Sequence, residues 1–417
     1  MTLDLVIRNA LLEDGGVPQD LGIRNGRIET IAPRIATDAR ALDAGGGLVI
    51  AGFADSHLHL DKACLLDRAS NPTGTLKGAI EAVSAAKRDF TTADVHARGA
   101  RVLEKAIGQG TTLIRTQVEI DPGVGLAGFE AVRQLKADYA WGVDLQICVF
   151  PQEGLLNYPG TEALLRRALD EGADLLGGCP YTDSDPEGHI KALFAMARDY
   201  DVDLDFHLDF DLDTSWRHLD WVARETIAHG MQGRVAIGHV TKLSMLPPGP
   251  LTDTIALMRD AGIALTVLPA TDLFMTGRDH DHGVPRGVAP AHRFHEAGLC
   301  CTVATNNVLN PFTPYGDCSL PRMANLFANV AQLGSPEALA RCFAMVSEEP
   351  FRLLGRDPVI REGATADLVA LPCASRADAV AEIGRPIWGV KRGKPSFEAP
   401  LPRLLRPGVA RPAALAV

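Results

Sequence analysis

The chain has 417 residues, of which 46% are hydrophobic and 22% charged, and its formal net charge is −11. Nucleic acids and anionic membranes are bound by basic faces, so this acidic balance argues against both as partners. The eight cysteines show no Cys-x-x-Cys spacing, and neither a signal peptide nor a membrane-length apolar run is visible, so we expect a cytoplasmic protein.

The first fifty residues alternate apolar and polar side chains, and a similar alternation occurs near the C-terminus. Short strands with Gly-containing turns are predicted at 4–10, 21–28, 366–371 and 387–394. Two β regions at opposite ends of a chain can pair with each other. We therefore predict a small accessory β-sandwich built from residues 1–50 and 357–417, with the last dozen residues as a tail.

Between these ends, eight apolar β-like runs alternate with helical patterns. The predicted strands are 48–53, 112–116, 145–150, 174–177, 202–206, 234–237, 263–268 and 301–304, and helices are predicted at 161–170, 190–199, 216–229 and 251–260. Eight strands that alternate with helices indicate an α/β fold, namely a (β/α)8 TIM-like barrel over 51–356. A doubly wound open sheet is the alternative. In such a barrel, the residues just past each strand surround one mouth, where active sites form.

Polar side chains occur at the predicted ends of several strands. His57 and His59 are separated by one residue, so both imidazoles project from the same side of an extended backbone. His207, after the fifth strand, completes a three-nitrogen set that can hold a divalent metal and leave positions for water and substrate. His239, after the sixth, is placed to shuttle a proton, and Gln152 has the donor and acceptor suited to a cyclic amide edge. Each alone also fits a buried structural role, but the set around one mouth favours a metal site.

Other segments carry a family resemblance. They are 150–154, 158–159, 162–165, 171–174, 277–278, 286–287, 310–312 and 314–316. Together they resemble the amidohydrolase superfamily, and within it the bacterial cytosine deaminase-like group, which also includes N-isopropylammelide amidohydrolase. The resemblance implies a barrel joined to a β-sandwich from both chain ends, one divalent metal ion (zinc or iron, with manganese as a further candidate) and a metal-activated water that attacks a C–N carbon. Barrels of this kind are commonly homo-oligomers.

The chain departs from that group at its acidic positions. The resemblance places the proton-moving glutamate of the family at Phe210, its metal-ligating aspartate at Asn306 and its substrate-contacting acid at Asn307. An amide can ligate a metal, but it carries no charge and takes up no proton at neutral pH. Losing positioned acid–base help costs roughly 10²–10⁴-fold per group. Asp209, two residues after the strand-five histidine, is expected to point into the same mouth and is the leading substitute acid.

Two functions are indicated by particular residues, and metal-dependent chemistry that needs no strand-eight aspartate, such as a lyase or isomerase step, is a third possibility that no feature singles out. The first is a metal-dependent hydrolase acting on C–N bonds, other than peptide bonds, of a small nitrogen-heterocyclic or amide compound. Its expected residues are His57, His59, His207 and Asn306 for the metal, His239 and Asp209 for catalysis, and Gln152, Asn307 and Phe210 for substrate. The second is a barrel that has lost the acid–base residues and binds a small-molecule ligand without hydrolysis.

Overall fold

The protein is described by a computed structural model over residues 2–402. Its strands in chain order are β1 (Leu5–Ala10), β2 (Gln19–Arg24), β3 (Arg27–Ala32), β4 (Arg40–Asp43), β5 (Leu48–Ile50), β6 (Phe53–Leu58), β7 (Thr111–Glu119), β8 (Asp144–Phe150), β9 (Leu175–Gly178), β10 (Leu204–Leu208), β11 (Val235–His239), β12 (Ile263–Val267), β13 (Cys301–Val303), β14 (Leu368–Leu371), β15 (Trp388–Lys391) and β16 (Lys394–Glu398).

The α-helices lie mainly between the strands of the middle region. They are α1 (Leu76–Ala86), α2 (Thr92–Gly108), α3 (Ala127–Asp138), α4 (Thr161–Asp170), α5 (Pro186–Tyr200), α6 (Leu219–Ala228), α7 (Pro248–Asp260), α8 (Pro269–Met275), α9 (Ala291–Glu296), α10 (Leu320–Ala331), α11 (Pro336–Ala344), α12 (Glu348–Leu353) and α13 (Arg376–Ala381). Side-chain caps precede several of them, such as Thr91 before α2 and Asp185 before α5. Within residues 2–402, no helix is long and apolar enough to cross a membrane.

Strands β6 to β13 form one eight-stranded parallel sheet in sequence order. Its first and last strands meet at Leu58 and Asn306, which form a parallel bridge. The backbone of Asn306 receives a hydrogen bond from His59 N (2.9 Å) and donates one to His57 O (2.8 Å). Because the two edges of the sheet join, the predicted TIM-like barrel is confirmed and the doubly wound alternative is wrong.

Two four-stranded sheets form the accessory region. One has the order β3-β2-β1-β4, and the other, β16-β15-β14-β5, combines a strand from the N-terminal part with three from the C-terminal part. Buried side chains from both sheets, including Leu5, Ile23, Leu368 and Trp388, share one apolar core. The predicted β-sandwich from both chain ends is thus confirmed. Its boundaries at residues 50 and 357 stay predictions, and the predicted tail, the last dozen residues, lies outside the described residues.

The predicted strand 48–53 is wrong as a single element. Residues 48–50 belong to the accessory sandwich, while the first barrel strand begins at Phe53. Between them Gly52 has φ +91°, and a Cβ there would come within 2.5 Å of the Thr112 side chain, so the chain turns sharply from one sheet to the other. A continuous apolar run concealed this turn because both halves are buried.

Candidate metal centre

Three imidazoles converge at the carboxyl-terminal mouth of the barrel. His57 Nε2 lies 3.0 Å from His207 Nε2, and His59 Nε2 lies 3.1 Å from the same atom. His57 lies near the end of β6, where its backbone O accepts from Asn306 N, and His207 lies in β10, where it pairs with Gly238 of β11. All three side chains are buried, and burial lowers the pKa of each imidazole well below 6.5, so they are neutral.

These three nitrogens fit a divalent cation. If His207 Nε2 carries a proton, it can donate that proton to only one of the two nitrogens that face it, His57 Nε2 or His59 Nε2. The lone pair of the other nitrogen then points at His207 without a hydrogen bond. Several buried polar atoms around them also have no hydrogen-bond partner within the described residues: His59 Nδ1, His207 Nδ1, Gln117 Oε1, Asp205 Oδ1, Asn306 Oδ1 and Asn306 Nδ2. Neutral imidazole is a preferred ligand of zinc and iron, and three such ligands are typical of a catalytic rather than a structural site.

A buried carboxylate lies behind the metal-facing side of His57. Asp205 Oδ1 is 3.9 Å from His57 Nδ1, and Asp205 Oδ2 accepts hydrogen bonds from Arg115 (3.0 Å) and Gln117 (3.2 Å). Burial raises the pKa of Asp205, while the Arg115 guanidinium opposes that shift. Gln117 Nε2, which donates to Asp205, also lies 3.5 Å from His57 Nδ1, so the amide contacts the far edge of the His57 ring and the carboxylate lies behind it. The sequence patterns did not single out Asp205, although an aspartate two residues before His207 in the same strand points to the same face.

His239 reaches the same mouth from β11. Its Nδ1 lies 2.6 Å from Asp272 Oδ1 in α8, so its Nε2 is directed towards the cavity that it lines with His59 and His207. The Phe210 ring stacks on the His239 ring at 4.1 Å between centroids. His239 is therefore positioned by Phe210, which the sequence analysis named, and by Asp272, which it did not identify.

Gln152 lines the cavity beside a lysine that the sequence analysis missed. Lys62 Nζ donates to Gln152 Oε1 (3.2 Å) and to Glu119 Oε1 (2.5 Å), and the lysine is 1% exposed. Gln152 Nε2 in turn lies 3.2 Å from Cys179 Sγ. Lys62 follows His59 by three residues, and this proximity to the histidine pair was the available signal.

Asn306 and Asn307 both line the cavity. The Asn306 backbone has φ +60°, and its amide group carries the two unpartnered atoms named above. The Asn307 Oδ1 accepts a hydrogen bond from Asn310 Nδ2 (2.6 Å). The backbone hydrogen bonds that close the barrel also place Asn306 beside the imidazoles. A metal contact by its side chain stays a prediction.

Asp209 does not point into the mouth as expected. Its carboxylate accepts hydrogen bonds from the backbone N–H groups of His218 (2.9 Å) and Leu219 (3.1 Å) at the start of α6. The residue has φ +48°, which turns its side chain away from the face that carries His207. The period-two expectation failed because β10 ends at Leu208, one residue earlier.

The cavity that these residues surround contains a single charged side chain. Its lining is His59, Lys62, Leu76, Gln152, Tyr181, His207, Phe210, His239, Thr271, Asn306, Asn307 and Phe312. Among the described residues no carboxylate takes part in this lining. The functional groups that line the cavity are therefore imidazoles, amides, hydroxyl groups, apolar side chains and one ammonium group.

The fold and this group of imidazoles can now be set beside known proteins. The profile of the amidohydrolase family matches residues 102–394, about two thirds of the chain and most of the barrel. The chain therefore belongs to the amidohydrolase family.

Three relatives illustrate its place in that family. The chain is 29% identical to an N-isopropylammelide isopropyl amidohydrolase of Pseudomonas sp. (strain ADP), over 94% of this chain and 96% of the relative. It is 29% identical to a pterin deaminase of Rhizobium rhizogenes, over 85% and 82%. The structure of 5-methylcytosine deaminase from Klebsiella pneumoniae liganded with 5-fluorocytosine superposes with a TM-score of 0.92 at 27% identity, covering 96% of this chain and 99% of the deaminase. The resemblance to the cytosine deaminase-like group is thus confirmed.

Proposed function

We propose that this protein is a metal-dependent hydrolase that cleaves C–N bonds, other than peptide bonds, in small nitrogen-heterocyclic or amide compounds. The observation that carries the proposal is the convergence of three imidazoles, in which His57 Nε2 and His59 Nε2 lie 3.0 and 3.1 Å from His207 Nε2. Family membership supports it, and so do relatives whose names denote amide hydrolysis and deamination.

The three imidazoles would hold one divalent ion, with zinc or iron as the first candidates and manganese as a third. Asn306, whose amide oxygen has no partner within the described residues, is the fourth proposed ligand. When bound, such an ion supplies Lewis-acid polarisation and brings the pKa of water towards neutrality.

His239 is the proposed proton carrier. Its Nδ1 is held by Asp272, so the lone pair or proton at Nε2 faces the cavity. A carboxylate in this position fixes the tautomer and stabilises the imidazolium that forms when Nε2 takes up a proton, as in other histidine–carboxylate pairs. Phe210 covers one face of the ring and limits its rotation and its contact with water.

Gln152 and Asn307 are the proposed substrate-reading groups. Both line the cavity, and their amides are already oriented by Lys62 and Asn310 respectively. A fixed amide offers a donor and an acceptor side by side, which matches the N–H and C=O edge of a cyclic amide. Phe210 and Phe312 provide apolar faces against which a flat ring can pack.

A second candidate function is ligand binding without hydrolysis. The specific observation in its favour is the cavity lining, in which the described residues supply no carboxylate. The expected substitute acid, Asp209, instead holds the start of α6. Under this alternative, the histidine set would bind a metal and a ligand, but no group other than His239 would move a proton.

The test begins with metal content. Purified protein, His57→Ala, His207→Ala and the partly exposed control His96→Ala are loaded with zinc, iron or manganese, dialysed and analysed by plasma mass spectrometry. We expect about one ion per chain in wild type and in His96→Ala, and far less in the other two. A panel of heterocyclic amides and amines is then assayed for release of ammonia or amine.

The outcomes separate the two functions. Turnover that His207→Ala abolishes and His96→Ala retains supports the hydrolase and rules out a pure binder. Metal binding with calorimetrically detected ligands, but without turnover of any panel member, favours the binding protein. Equal metal content in wild type and His57→Ala would overturn the metal site itself.

A further inference from the structure

The cavity beside the histidine set is electrostatically one-sided. Lys62 is the one charged side chain in its described lining, and it lies at the wall shared with Gln152. Its ammonium group is also close to two aromatic faces, 4.8 Å from the centre of the Phe312 ring and 5.5 Å from that of Phe150. The ammonium group therefore faces rings and amides in a place from which water is excluded, where its charge is weakly screened.

Lys62 is held in place from behind. Glu119 Oε1 accepts from Lys62 Nζ at 2.5 Å, while Glu119 Oε2 lies 3.3 Å from Lys87 Nζ. Burial alone would raise the pKa of Glu119, but the two ammonium groups outweigh it and lower the pKa, so the carboxylate is ionised. Glu119 is not part of the cavity lining. The ion pair is therefore oriented with its positive end towards the cavity.

The ammonium group has a donor left for a ligand. Lysine carries three N–H donors, and the described residues take two of them, through Glu119 and Gln152. The third is available at the cavity wall. A buried, charge-assisted hydrogen bond is the type of contact that discriminates most strongly between an anionic and a neutral acceptor.

The rest of the described lining lacks the negative charges that would repel an anion. Phe210, Asn306 and Asn307 occupy the positions at which the resemblance to the cytosine deaminase-like group implies acids, and all three line the cavity. With these three positions uncharged, the ammonium group of Lys62 is the one charge in the described lining. Such a lining favours a negatively charged ligand.

We propose that the cavity binds its ligand as an anion, and that Lys62 selects an acidic oxo-substituted nitrogen heterocycle that has lost a ring proton, from nitrogen or carbon, at neutral pH. Lys62 would bind the oxygen or nitrogen that carries the negative charge, next to the amide edge bound by Gln152. This inference names the substrate class of the proposed hydrolase and rests on that function for the reaction, although the binding preference is measurable without turnover.

The experiment compares two rings of the same size and different charge. Barbiturate is an anion at neutral pH and uracil is neutral, and their affinities for metal-loaded and metal-free protein are measured by titration calorimetry. We expect wild type to bind barbiturate at least about 10-fold more tightly than uracil. Lys62→Met, which keeps the length of the side chain, should weaken barbiturate binding roughly 10- to 100-fold and leave uracil nearly unchanged.

A second variant keeps the proposal testable if Lys62→Met unfolds. Asn307→Asp introduces a carboxylate into the lining and retains an oxygen that can accept from Asn310. It should reduce the barbiturate preference about 10-fold, whereas Asn329→Asp, on the exposed side of α10, adds the same charge outside this cavity and should leave the preference intact. Circular dichroism and the melting temperature report folding of each variant.

Failure of this inference differs from failure of the proposed function. Equal affinity for both rings in wild type, no binding of either ring, or an unchanged preference in Lys62→Met and Asn307→Asp would overturn the inference. If the anion preference is absent but neutral heterocycles are hydrolysed in a His207-dependent manner, the proposed hydrolase function is supported and the further inference fails. If the preference behaves as expected while no metal binds, the inference stands and the hydrolase falls.

Discussion

Asp272 Oδ1 lies 2.6 Å from His239 Nδ1, and both side chains are buried. The other oxygen of Asp272 accepts from the backbone N–H of Leu268 at 3.0 Å, so the carboxylate is fixed before it meets the imidazole. Burial raises the pKa of Asp272, and the His239 imidazole acts in the opposite direction. The pair joins the end of β11 to α8, the helix that follows β12, and orients the remaining nitrogen of His239 towards the histidine set.

Replacing Asp272 with asparagine should reduce turnover much more than metal binding. Asparagine can still occupy the space, but it offers the wrong tautomer to His239 and cannot stabilise a protonated ring, so we expect kcat to fall roughly 100-fold. The measurement is kcat on whichever panel compound turns over, with metal content in parallel. Asp253→Asn on exposed α7 is the control. Loss of metal together with activity would instead make Asp272 a structural support of the centre.

Asn306→Asp should strengthen the metal centre. The backbone of residue 306 is anchored to His57 and His59, so the new carboxylate would occupy the place of the amide with little rearrangement. A negative charge beside a divalent ion is attractive in a buried site, and we expect retention against a chelator to improve at least about 10-fold. Competition with a fluorescent chelator measures the change. An unchanged affinity would show that the side chain of residue 306 does not reach the ion.

Asp209→Asn should destabilise the protein without selectively removing its chemistry. Asp209 accepts from two backbone N–H groups at the beginning of α6 and lies 3.8 Å from the buried ammonium of Lys242. Losing the charge of a helix-capping carboxylate costs about 1 kcal/mol or more. Urea unfolding gives the free energy change, and activity per folded molecule gives the control. A large loss of activity at unchanged stability would return Asp209 to a catalytic role.

The loop that carries Gln152 should loosen in acid. Asp183 accepts from Leu155 N, Leu156 N (2.9 Å) and His189 Nδ1 (2.9 Å). Burial opposes ionisation, but these donors outweigh it and lower the pKa of Asp183. A carboxyl whose folded pKa is depressed contributes stability above its unfolded pKa of about 3.9, and that contribution is lost as the pH falls towards the folded value.

Asp183→Asn should therefore flatten the acid limb of the stability curve. The variant is less stable than wild type at pH 7, and the difference shrinks below about pH 4, where the wild-type carboxyl begins to be protonated. Urea midpoints between pH 3 and pH 7 measure this convergence, with exposed Asp253→Asn as the control. A constant difference across the range would show that Asp183 contributes through shape alone.

The sequence predicted the parts of the molecule that follow periodicity. The strand runs and the intervening helices gave the barrel, and the residues 161–170 predicted as a helix coincide with α4. The convergence of His57, His59 and His207 was predicted because strand-end positions in a barrel share one mouth; their role as metal ligands stays a prediction. Both successes depend on local patterns that repeat along the chain.

Contacts between distant segments could not be predicted in this way. Asp272 meets His239 across 33 residues, and Lys62 meets Glu119 across 57. Nothing in the local pattern around either acid indicates its partner. The orientation of Asp209 was wrong for a related reason, since the residue at which a strand ends depends on its neighbours in the sheet and on the positive φ that follows.

The closure of the barrel at Asn306 has an evolutionary consequence. The main chain of this residue ties β13 to β6 whatever its side chain is, so mutation there can alter chemistry while folding is preserved. Asparagine and aspartate codons differ by a single base. A single base change can therefore add or remove a negative charge at the candidate metal centre without disturbing the closure of the barrel. The position is thus a natural point of divergence between activities that share this fold.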